Sequence, residues 1–341
     1  SKEIIIGYDG RQDSDVFTQQ FSRIASANGW HPILSDRIIP TPVVSFTTKV
    51  RGARAGVMIT ASHNPAEYNG VKFKSAAGAP FSSEMTGAVE KNLGKNSVKV
   101  SATTVISNDL WSPYRAAIES KINLKIIQDS KLKVAIDSMA GAGAQFLEEI
   151  LTDIGINVKT IDGIPLEDFG GRQAEPIAQN LQPLQAFLSE NMGYSMGLAT
   201  DGDADRLGIC YEDGSWQNAQ DTIMSLGHYM VAIRKAGGDL VKTASVTNRI
   251  QHLGTSQDRR VHNVQVGFKY IADEMQAGDI AFGAEESGGY GFGIHIPERD
   301  GIFSGLIALE MLATSGFATL SECMSRIRET YGEIFYQRVD L

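Results

Sequence analysis

The sequence predicts an α/β protein of three consecutive α/β domains with mixed, mostly parallel sheets, and three observations point to that fold class. The chain has 341 residues, which is enough for two or three domains that each bury a core. Short β-rich runs alternate with helix-length stretches along the chain, as in βαβ units whose strands lie parallel. The 35 glycines fit the many tight turns between strand and helix that such units need.

The β-rich runs are each predicted to be a strand. In chain order they are residues 3–9, 32–36, 55–60, 132–137, 157–162, 196–200, 244–247, 261–266 and 279–284. Helices are predicted over residues 16–28, 112–122, 144–154, 183–191 and 267–276. Residues 206–212 precede an Asp-Gly pair, which is typical of a hairpin turn, so we expect an antiparallel strand there. In parallel sheets of this kind, functional sites lie at the carboxyl ends of strands.

Two polar stretches divide the chain. Residues 91–104 are rich in Lys, Asn, Ser and Thr, and a second break lies near residues 213–220. We therefore expect domains at residues 1–112, 125–216 and 217–332, with a helix over 112–122 joining the first two. Residues 331–341 are predicted to begin a further strand.

Charge and composition exclude several classes of function. Lys and Arg number 31 against 40 Asp and Glu, giving a formal net charge of −9, and this balance disfavours binding to nucleic acid or anionic membranes. No apolar run approaches the ~20 residues of a transmembrane helix, and the first residues do not have the pattern of a signal peptide. The two cysteines form no disulfide framework, and the six histidines show no zinc-binding spacing. We expect a soluble, cytoplasmic protein.

A serine follows the apolar run 55–60, which has the continuous pattern of a strand buried on both faces. Ser62 is placed at the carboxyl edge of the sheet, and the Asn-Pro pair after His63 forces a turn there. A serine hydroxyl is a poor nucleophile unless a base or cation activates it, and His63, Lys72 and Lys74 are the nearby candidates. An ordinary Ser/Asn turn without a catalytic role is the alternative. We name residues 61–70 the serine loop.

Three carboxylates follow the strand predicted over residues 196–200. Asp201, Asp203 and Asp205 stand at alternate positions of one short segment, residues 201–206, which we name the acidic loop. Their mutual repulsion predicts a bound cation, and hard oxygen ligands favour Mg²⁺ or Ca²⁺. Three side-chain ligands leave positions on Mg²⁺ open for a phosphate oxygen, as phosphoryl transfer requires. A solvated loop without metal is the alternative, and an EF-hand is disfavoured because Arg206 occupies the position that needs glycine.

A glycine-rich segment follows the strand predicted over residues 279–284. Residues 282–293, here the glutamate loop, contain Glu285, Glu286 and Ser287, whose oxygens are acceptors suited to sugar hydroxyls. Arg299 stands near the start of a predicted helix, and the positive end of a helix attracts anions. A flexible, solvated Gly/Glu loop is the alternative.

The turn after residues 132–137 is the best case for a dinucleotide cofactor. Gly141 and Gly143 follow that strand, and Asp162 ends the next strand near where a ribose-binding acid should lie. Phe146, however, stands at the sixth position of the fingerprint, where Gly or Ala is needed. Tight packing of a helix is therefore the favoured explanation of these glycines.

Together the motifs resemble the α-D-phosphohexomutase superfamily, which comprises phosphoglucomutase, phosphomannomutase and the phosphohexosamine mutases. They occur in the family's order and cover essentially the whole chain. The matching segments are Gly7-Tyr8-Asp9-Gly10-Arg11, Pro40-Thr41-Pro42, Thr60-Ala61-Ser62-His63-Asn64-Pro65, Asn69-Gly70-Val71-Lys72, Phe169-Gly170-Gly171-Arg172, Asp201-Gly202-Asp203-Ala204-Asp205-Arg206, Gly267-Phe268-Lys269 and Glu285-Glu286-Ser287-Gly288.

The resemblance implies a role for each candidate residue. Ser62 would be the phosphoserine, and His63 and Lys72 would serve proton transfer and charge stabilisation around it. The Mg²⁺ ligands would be a phosphate oxygen on Ser62 and the carboxylates of Asp201, Asp203 and Asp205. The substrate would be bound by Arg206, Lys269, Glu285, Ser287 and Arg299. The active site would lie in the cleft between the domains.

The implied reaction interconverts hexose 1-phosphate and hexose 6-phosphate through a hexose 1,6-bisphosphate. Glucose phosphates are favoured because Glu286, Gly289 and Lys269 match the phosphoglucomutase forms of their loops. The alternatives are a phosphomannomutase, a phosphoglucosamine mutase, or a catalytically silent sugar-phosphate binding protein. The family's N-terminal Gly-Thr-Ser-Gly-Ile-Arg-Gly type of segment is not matched, and residues 333–341 would be the start of a fourth domain that the sequence does not contain.

Overall fold

The computed structural model describes residues 2–102 and 105–336, and three sheets form its framework. The first sheet contains β1 (Glu3–Tyr8), β2 (His31–Ser35), β3 (Ala55–Ile59), β4 (Val71–Lys74) and β5 (Ser107–Asn108). Their order is β4-β3-β1-β2-β5, and only β4 runs antiparallel to its neighbour. The helices here are α1 (Ser14–Ala27), α2 (Thr41–Val50) and α3 (Ser83–Glu90). β1 and β3 are continuous apolar runs because they are buried on both faces.

The second sheet contains β6 (Lys133–Asp137), β7 (Asn157–Ile161), β8 (Met196–Thr200), β9 (Leu207–Cys210) and β10 (Trp216–Gln217). Their order is β10-β9-β8-β6-β7. The helices here are α4 (Trp111–Glu119), α5 (Leu124–Ser130), α6 (Phe146–Asp153) and α7 (Gln182–Glu190), with short 3₁₀ turns at Phe169–Gly171 and Ala178–Asn180. The predicted hairpin is present, since β9 pairs antiparallel with both β8 and β10.

The third sheet contains β11 (Asp239–Thr243), β12 (Val261–Val264), β13 (Ile280–Ala284) and β14 (Tyr290–Phe292) in the order β12-β11-β13-β14. The helices here are α8 (Ala219–His228), α9 (Arg249–Ser256), α10 (Phe268–Ala277), α11 (Gly301–Ser315) and α12 (Leu320–Tyr331), and a π-helical turn at Tyr229–Ile233 continues α8. Only β14 runs antiparallel in this sheet. The predicted fold class, three α/β domains with mixed sheets, is confirmed.

Helix α11 lies at the centre of the largest hydrophobic core. Every residue from Gly301 to Ala313 is buried, and the helix contacts α5, α6, β8 and β9 of the second sheet as well as α8 and α12. It is apolar on all sides because it is surrounded by protein. No single helix within the described residues is long and apolar enough to cross a membrane; α11 and α12 meet the length and composition criteria only as a pair bent by 80°.

One predicted strand is wrong in position, and a second is absent from the part of it that the structure describes. The predicted strand at 244–247 is a turn, and β11 ends just before it at Thr243. Lys242 interrupts the apolar run in the sequence, but its side chain is buried and its Nζ donates to the Val246 carbonyl oxygen at 2.7 Å. Of the predicted strand 331–341, Tyr331 ends α12 and residues 332–336 form no strand. Residues 337–341, and with them most of the predicted start of a further domain at 333–341, lie outside the described residues.

Candidate active site

The serine loop begins at the carboxyl end of β3, where Ser62 is buried. The Ser62 backbone adopts the left-handed conformation with φ 55°, which is uncommon for a residue other than glycine. Its N–H donates to Thr60 Oγ1 at 2.8 Å. Its Oγ donates to Asp201 Oδ2 at 3.1 Å. The nucleophile predicted from the first sheet and the first carboxylate of the acidic loop therefore meet.

The acidic loop follows β8, whose five residues are all buried. Asp201, Asp203 and Asp205 are themselves completely buried, and one ligand oxygen from each lies within 4.8 Å of the others. Asp203 Oδ1 and Asp205 Oδ1 have no hydrogen-bond partner. Buried carboxylate oxygens without a partner are very unfavourable unless a cation or donor reaches them. An all-oxygen donor set of this kind fits a hard divalent cation.

Three cationic side chains surround these carboxylates. Lys72 Nζ donates to Asp203 Oδ2 at 2.6 Å and to Asp205 Oδ2 at 3.0 Å. Arg299 Nη2 donates to Asp205 Oδ2 at 2.6 Å. Arg206 is more distant, with its Nε 3.9 Å from an oxygen of Asp205. The negative charge of the loop is thus partly balanced by residues from the first and third sheets.

The three carboxylates also shift one another's ionisation. Burial, with added repulsion from Asp205 and Asp203, raises the pKa of Asp201 well above its ordinary value. Burial would also raise the pKa of Asp203, but Lys72 beside it outweighs that effect and lowers the pKa. The pKa of Lys72 is raised, because the two carboxylates outweigh the effect of burial. A further cation at the loop would favour the charged form of all three carboxylates.

The glutamate loop follows β13 and faces the acidic loop. Glu285 Oε1 accepts hydrogen bonds from Arg299 Nη1 at 2.8 Å and from Ser287 Oγ at 2.7 Å. Gly289 lies so close to Arg299 that a Cβ there would be 2.3 Å from Arg299 Cδ, which explains glycine at this position. The N–H of Leu207 donates to the Gly288 carbonyl oxygen at 2.9 Å. Arg299 therefore joins the acidic loop to the glutamate loop.

Two of the predicted site residues do not contact this cluster through hydrogen bonds in the described structure. Lys269 Nζ donates instead to Ser83 Oγ, at the start of α3, at 2.6 Å. His63 is half-buried, and its Nδ1 has no hydrogen-bond partner. Burial lowers the pKa of His63, and the positive charge of Arg206 lowers it further. Both effects favour the neutral form of His63.

Lys74, suggested by its nearness in sequence as an activating cation for Ser62, has another partner. Its Nζ donates to Glu298 Oε2, and both side chains are almost fully buried. Sequence reasoning also gave no role to Thr41, although the Pro-Thr-Pro segment was recognised as a motif. The Thr41 N–H donates to the Asp203 carbonyl oxygen at 2.9 Å, and its hydroxyl donates to Asp203 Oδ2. The sequence did place a threonine between two prolines at the start of a helix, and this pattern could have marked Thr41 as a residue of the site.

The glycines of the turn after β6 pack against the acidic loop. A Cβ on Gly141 would lie 2.8 Å from the Gly202 carbonyl oxygen, and one on Gly143 would lie 2.4 Å from Thr200 Oγ1. The Ala142 N–H donates to that same Gly202 oxygen at 2.9 Å. These contacts favour the packing explanation of the glycines over a dinucleotide site.

Comparison with known protein families agrees with this geometry. Three models of the phosphoglucomutase/phosphomannomutase family match in order: α/β/α domain I over residues 1–99, domain II over residues 112–214 and domain III over residues 218–331. A probable phosphoglucosamine mutase of Methanobrevibacter smithii is 31% identical over 333 residues, which are 95% of this chain and 70% of that protein. A phosphoglucomutase/phosphomannomutase of Thermococcus kodakarensis is 26% identical over 96% of this chain and 72% of its own.

Solved structures show the same fold. A Thermus thermophilus protein named as a phosphomannomutase superposes with a TM-score of 0.91 and 35% identity, over 97% of this chain and 75% of that one. Parafusin, a phosphoglucomutase from Paramecium, has a TM-score of 0.85 at 22% identity, over 97% of this chain and 67% of its own. The chain therefore belongs to the phosphoglucomutase/phosphomannomutase family of isomerases, within the α-D-phosphohexomutase superfamily.

Proposed function

We propose that this site interconverts hexose 1-phosphate and hexose 6-phosphate, with Ser62 carrying the transferred phosphate. The main observation that supports this proposal is the hydrogen bond of 3.1 Å from Ser62 Oγ to Asp201 Oδ2, within a buried cluster of three carboxylates. A serine so placed exchanges phosphate beside a metal ion rather than acting with a base as a hydrolytic nucleophile. The proposal accounts for the positions of Lys72 and Arg299 as well, since both place positive charge at the cluster.

The proposed metal ion is Mg²⁺, held by Asp201, Asp203 and Asp205 together with a phosphate oxygen on Ser62. The two unpartnered oxygens, Asp203 Oδ1 and Asp205 Oδ1, support this ligand set. When bound, the ion would neutralise charge on the phosphoryl group during transfer. N-acetylphosphoglucosamine mutase of Aspergillus fumigatus, with 16% identity and a TM-score of 0.60, has been solved with GlcNAc-6P and magnesium.

The proposed transfer moves one phosphoryl group between Ser62 Oγ and a sugar hydroxyl. The bond from phosphorus to Ser62 Oγ breaks as the bond to the sugar oxygen forms. Ser62 Oγ takes up a proton to become a hydroxyl again, and the sugar hydroxyl gives up its own proton. Neutral His63, with its unpartnered Nδ1, is the proposed acceptor of that proton. Lys72 and Arg206 would balance charge on the phosphoryl oxygens, where positioning and electrostatics account for most of the catalysis. The second transfer, to the other sugar oxygen, returns a phosphate to Ser62.

The proposed sugar contacts come from the glutamate loop. Glu285 and Ser287 would bind sugar hydroxyls, and Lys269 would bind near the substrate's far side. Arg299, which the sequence placed with Lys269, donates to Glu285 and Asp205, so it would contact the substrate beside the metal site instead. Glucose phosphates are the first candidate, on the pattern of the loop. Glucosamine phosphates are the second candidate, because the relative of 31% identity and a relative of 30% identity from Lactobacillus johnsonii are both named phosphoglucosamine mutases.

Intact mass and peptide mapping around Ser62 test the proposal. The full chain is incubated with glucose 1,6-bisphosphate with and without Mg²⁺, and we expect one phosphoryl group on Ser62 only when both are present. Ser62→Ala is the matched control, since it keeps the fold and loses the acceptor oxygen. A chain that binds glucose 6-phosphate but never takes phosphate on Ser62 would favour a silent sugar-phosphate binding protein.

Substrate choice is tested separately by comparing kcat/KM for glucose 1-phosphate, glucosamine 1-phosphate and mannose 1-phosphate. We expect the highest value for glucose 1-phosphate. A value for glucosamine 1-phosphate at least tenfold higher than that for glucose 1-phosphate, about 1.4 kcal/mol in transition-state binding, would assign the enzyme to the phosphoglucosamine mutases instead.

A further inference from the structure

Arg11 is a buried arginine beneath the serine loop, and its guanidinium contacts the loop's main chain in four places. Nη1 donates to the carbonyl oxygens of Pro65 at 2.8 Å and Tyr68 at 3.0 Å. Nη2 donates to those of Ser62 at 2.6 Å and Asn64 at 2.7 Å. Four carbonyl oxygens of one seven-residue segment therefore point at a single side chain.

The guanidinium is itself held on its other sides. Arg11 Nε lies 3.2 Å from Asp9 Oδ2, and neither side chain is exposed. The ring of Phe169, from the second domain, lies 4.7 Å from Arg11 Cζ in a cation–π contact. The ion pair with Asp9 and the stacking on Phe169 fix the orientation of the Arg11 guanidinium, because its planar fork has fixed donor directions.

Ser62 needs this support because of its backbone conformation. Left-handed φ values in residues other than glycine are unfavourable and persist only where the surroundings impose them. The N–H of Ser62 is fixed by Thr60 Oγ1 at 2.8 Å, and its carbonyl oxygen is fixed by Arg11. Both backbone polar groups of the residue are thus held, and the resulting conformation directs Oγ at Asp201.

We propose that Arg11 is a positioning residue for phosphoryl transfer: it gathers the carbonyl oxygens of the serine loop and so holds Ser62 Oγ at the acidic loop. This inference rests on the proposed function, since it concerns the serine that would carry the phosphate. Arg11 touches neither the carboxylates nor the proposed sugar contacts. It acts through Ser62, so its loss slows transfer and leaves sugar binding, and the binding of metal to the unphosphorylated chain, largely unchanged.

Arg11→Lys in the full chain tests the role, because an ammonium keeps the charge but cannot span four carbonyl oxygens. We expect kcat to fall about 10²-fold, the effect of misplacing a reacting atom by about 1 Å. KM should stay within about twofold, because the sugar-binding groups are untouched. The Mg²⁺ affinity of the unphosphorylated chain, measured by calorimetry, should also stay within about twofold, because the three carboxylates are untouched.

Arg234→Lys is the matched control. Arg234 also pairs with a carboxylate, Glu310, with Nη1 to Oε2 at 2.8 Å, and donates to the Lys121 carbonyl oxygen. It lies at none of the three loops. We expect its kcat to equal that of the wild type, so that loss of a half-buried, carboxylate-paired arginine is separated from loss of the serine-loop contacts.

Several outcomes would overturn the inference. One is an unchanged kcat in folded Arg11→Lys, and another is an equal loss in both lysine variants. If Arg11→Lys does not fold, Thr60→Val removes the other support of Ser62, and an unchanged kcat there would also refute the positioning role; we expect a fall of about tenfold. The proposed function is tested separately: it would be refuted by a wild-type chain that never takes phosphate on Ser62. The Arg11 variants test only the positioning role.

Discussion

Two of the buried acidic centres in the described part of the chain differ in how their oxygens are satisfied. Asp300, just before α11, is completely buried, and both of its carboxylate oxygens have donors. Oδ1 accepts from the Phe303 N–H at 2.8 Å, and Oδ2 accepts from His295 Nε2 at 2.8 Å. The Tyr114 hydroxyl lies 2.9 Å and 2.7 Å from the two oxygens. This centre is complete without any ligand.

The acidic loop is equally buried but incomplete. Two of its oxygens, Asp203 Oδ1 and Asp205 Oδ1, lack a hydrogen-bond partner. The Oδ2 atoms of these two residues accept from Lys72, and that of Asp205 also accepts from Arg299. The oxygens of Asp201 accept from the Arg206 N–H and from Ser62 Oγ. Burial alone therefore does not distinguish a structural carboxylate from one that binds a ligand. Two unpartnered oxygens in one cluster point to a bound ligand, because a native fold leaves few such atoms without a reason. A single one, Asp9 Oδ2, is explained by Arg11 Nε, which lies 3.2 Å away.

Asp203→Asn tests the incomplete centre and should have the largest effect. An amide keeps the size of the side chain and still accepts from Thr41, but it removes one charge from the proposed Mg²⁺ site. We expect a loss of about 10²–10³-fold in kcat, comparable to losing one electrostatic stabiliser of a transition state. The free energy of unfolding without metal should change by about 1 kcal/mol or less. Phosphate-transfer assays measure the loss of kcat, and urea unfolding without metal measures the change in the free energy of unfolding.

Asp300→Asn makes the same substitution at the complete centre, and the expected result is reversed. The amide nitrogen cannot accept from Tyr114 or His295, so buried donors lose their partner. We expect the free energy of unfolding to fall by about 2–4 kcal/mol, with little change in the kcat of the folded molecules. Equal effects of the two Asn variants on stability would refute the distinction between the centres.

Mg²⁺ should stabilise the fold through the acidic loop alone. A ligand that binds only the folded state adds about 2.7 kcal/mol at one hundred times its Kd. We expect thermal unfolding of the wild type and of Asp300→Asn to shift upward with added Mg²⁺, and that of Asp203→Asn to shift much less. A shift of the same size in all three proteins would place the bound ion elsewhere.

The incomplete centre could be predicted from the sequence, and the complete one could not. Asp201, Asp203 and Asp205 stand within five residues, so their repulsion is visible without a structure. The partners of Asp300 are His295, close in sequence, and Tyr114, which is 186 residues away. Such a contact depends on how the domains pack, and no local pattern indicates it.

The same contrast holds for the fold and the rest of the site. The alternation of strands and helices predicted the three sheets, because each βαβ unit is a local pattern. It failed at β11, where the buried charge of Lys242 interrupts the apolar run. The partners of Thr41 and Lys74 could not be predicted for a related reason. Thr41 contacts Asp203 and Lys74 contacts Glu298, and both partners lie in other domains.

A pH effect at the complete centre is the smallest one expected. Burial lowers the pKa of His295, although hydrogen bonding to Asp300 opposes the shift, and the nearby Lys121 and Lys49 lower it further. The folded pKa thus lies below the ordinary value of about 6.5. As the pH falls below about 6.5, the unfolded chain takes up a proton that the folded chain does not, so stability is lost until the pH reaches the folded pKa.

His295→Gln removes that titration while leaving the other histidines in place. Its free energy of unfolding should therefore depend less on pH, and the difference from wild type should shrink as the pH falls from 7 to 5.5. The pKa values of His63 and His228 are also lowered by burial, but both residues are common to the two proteins and cancel in the comparison. Parallel stability curves over this range would mean that folding does not shift the pKa of His295. A difference from wild type that grows towards pH 5.5 would mean that His295 is protonated in the folded state, and the centre around Asp300 would then be an ion pair rather than a set of neutral donors on one carboxylate.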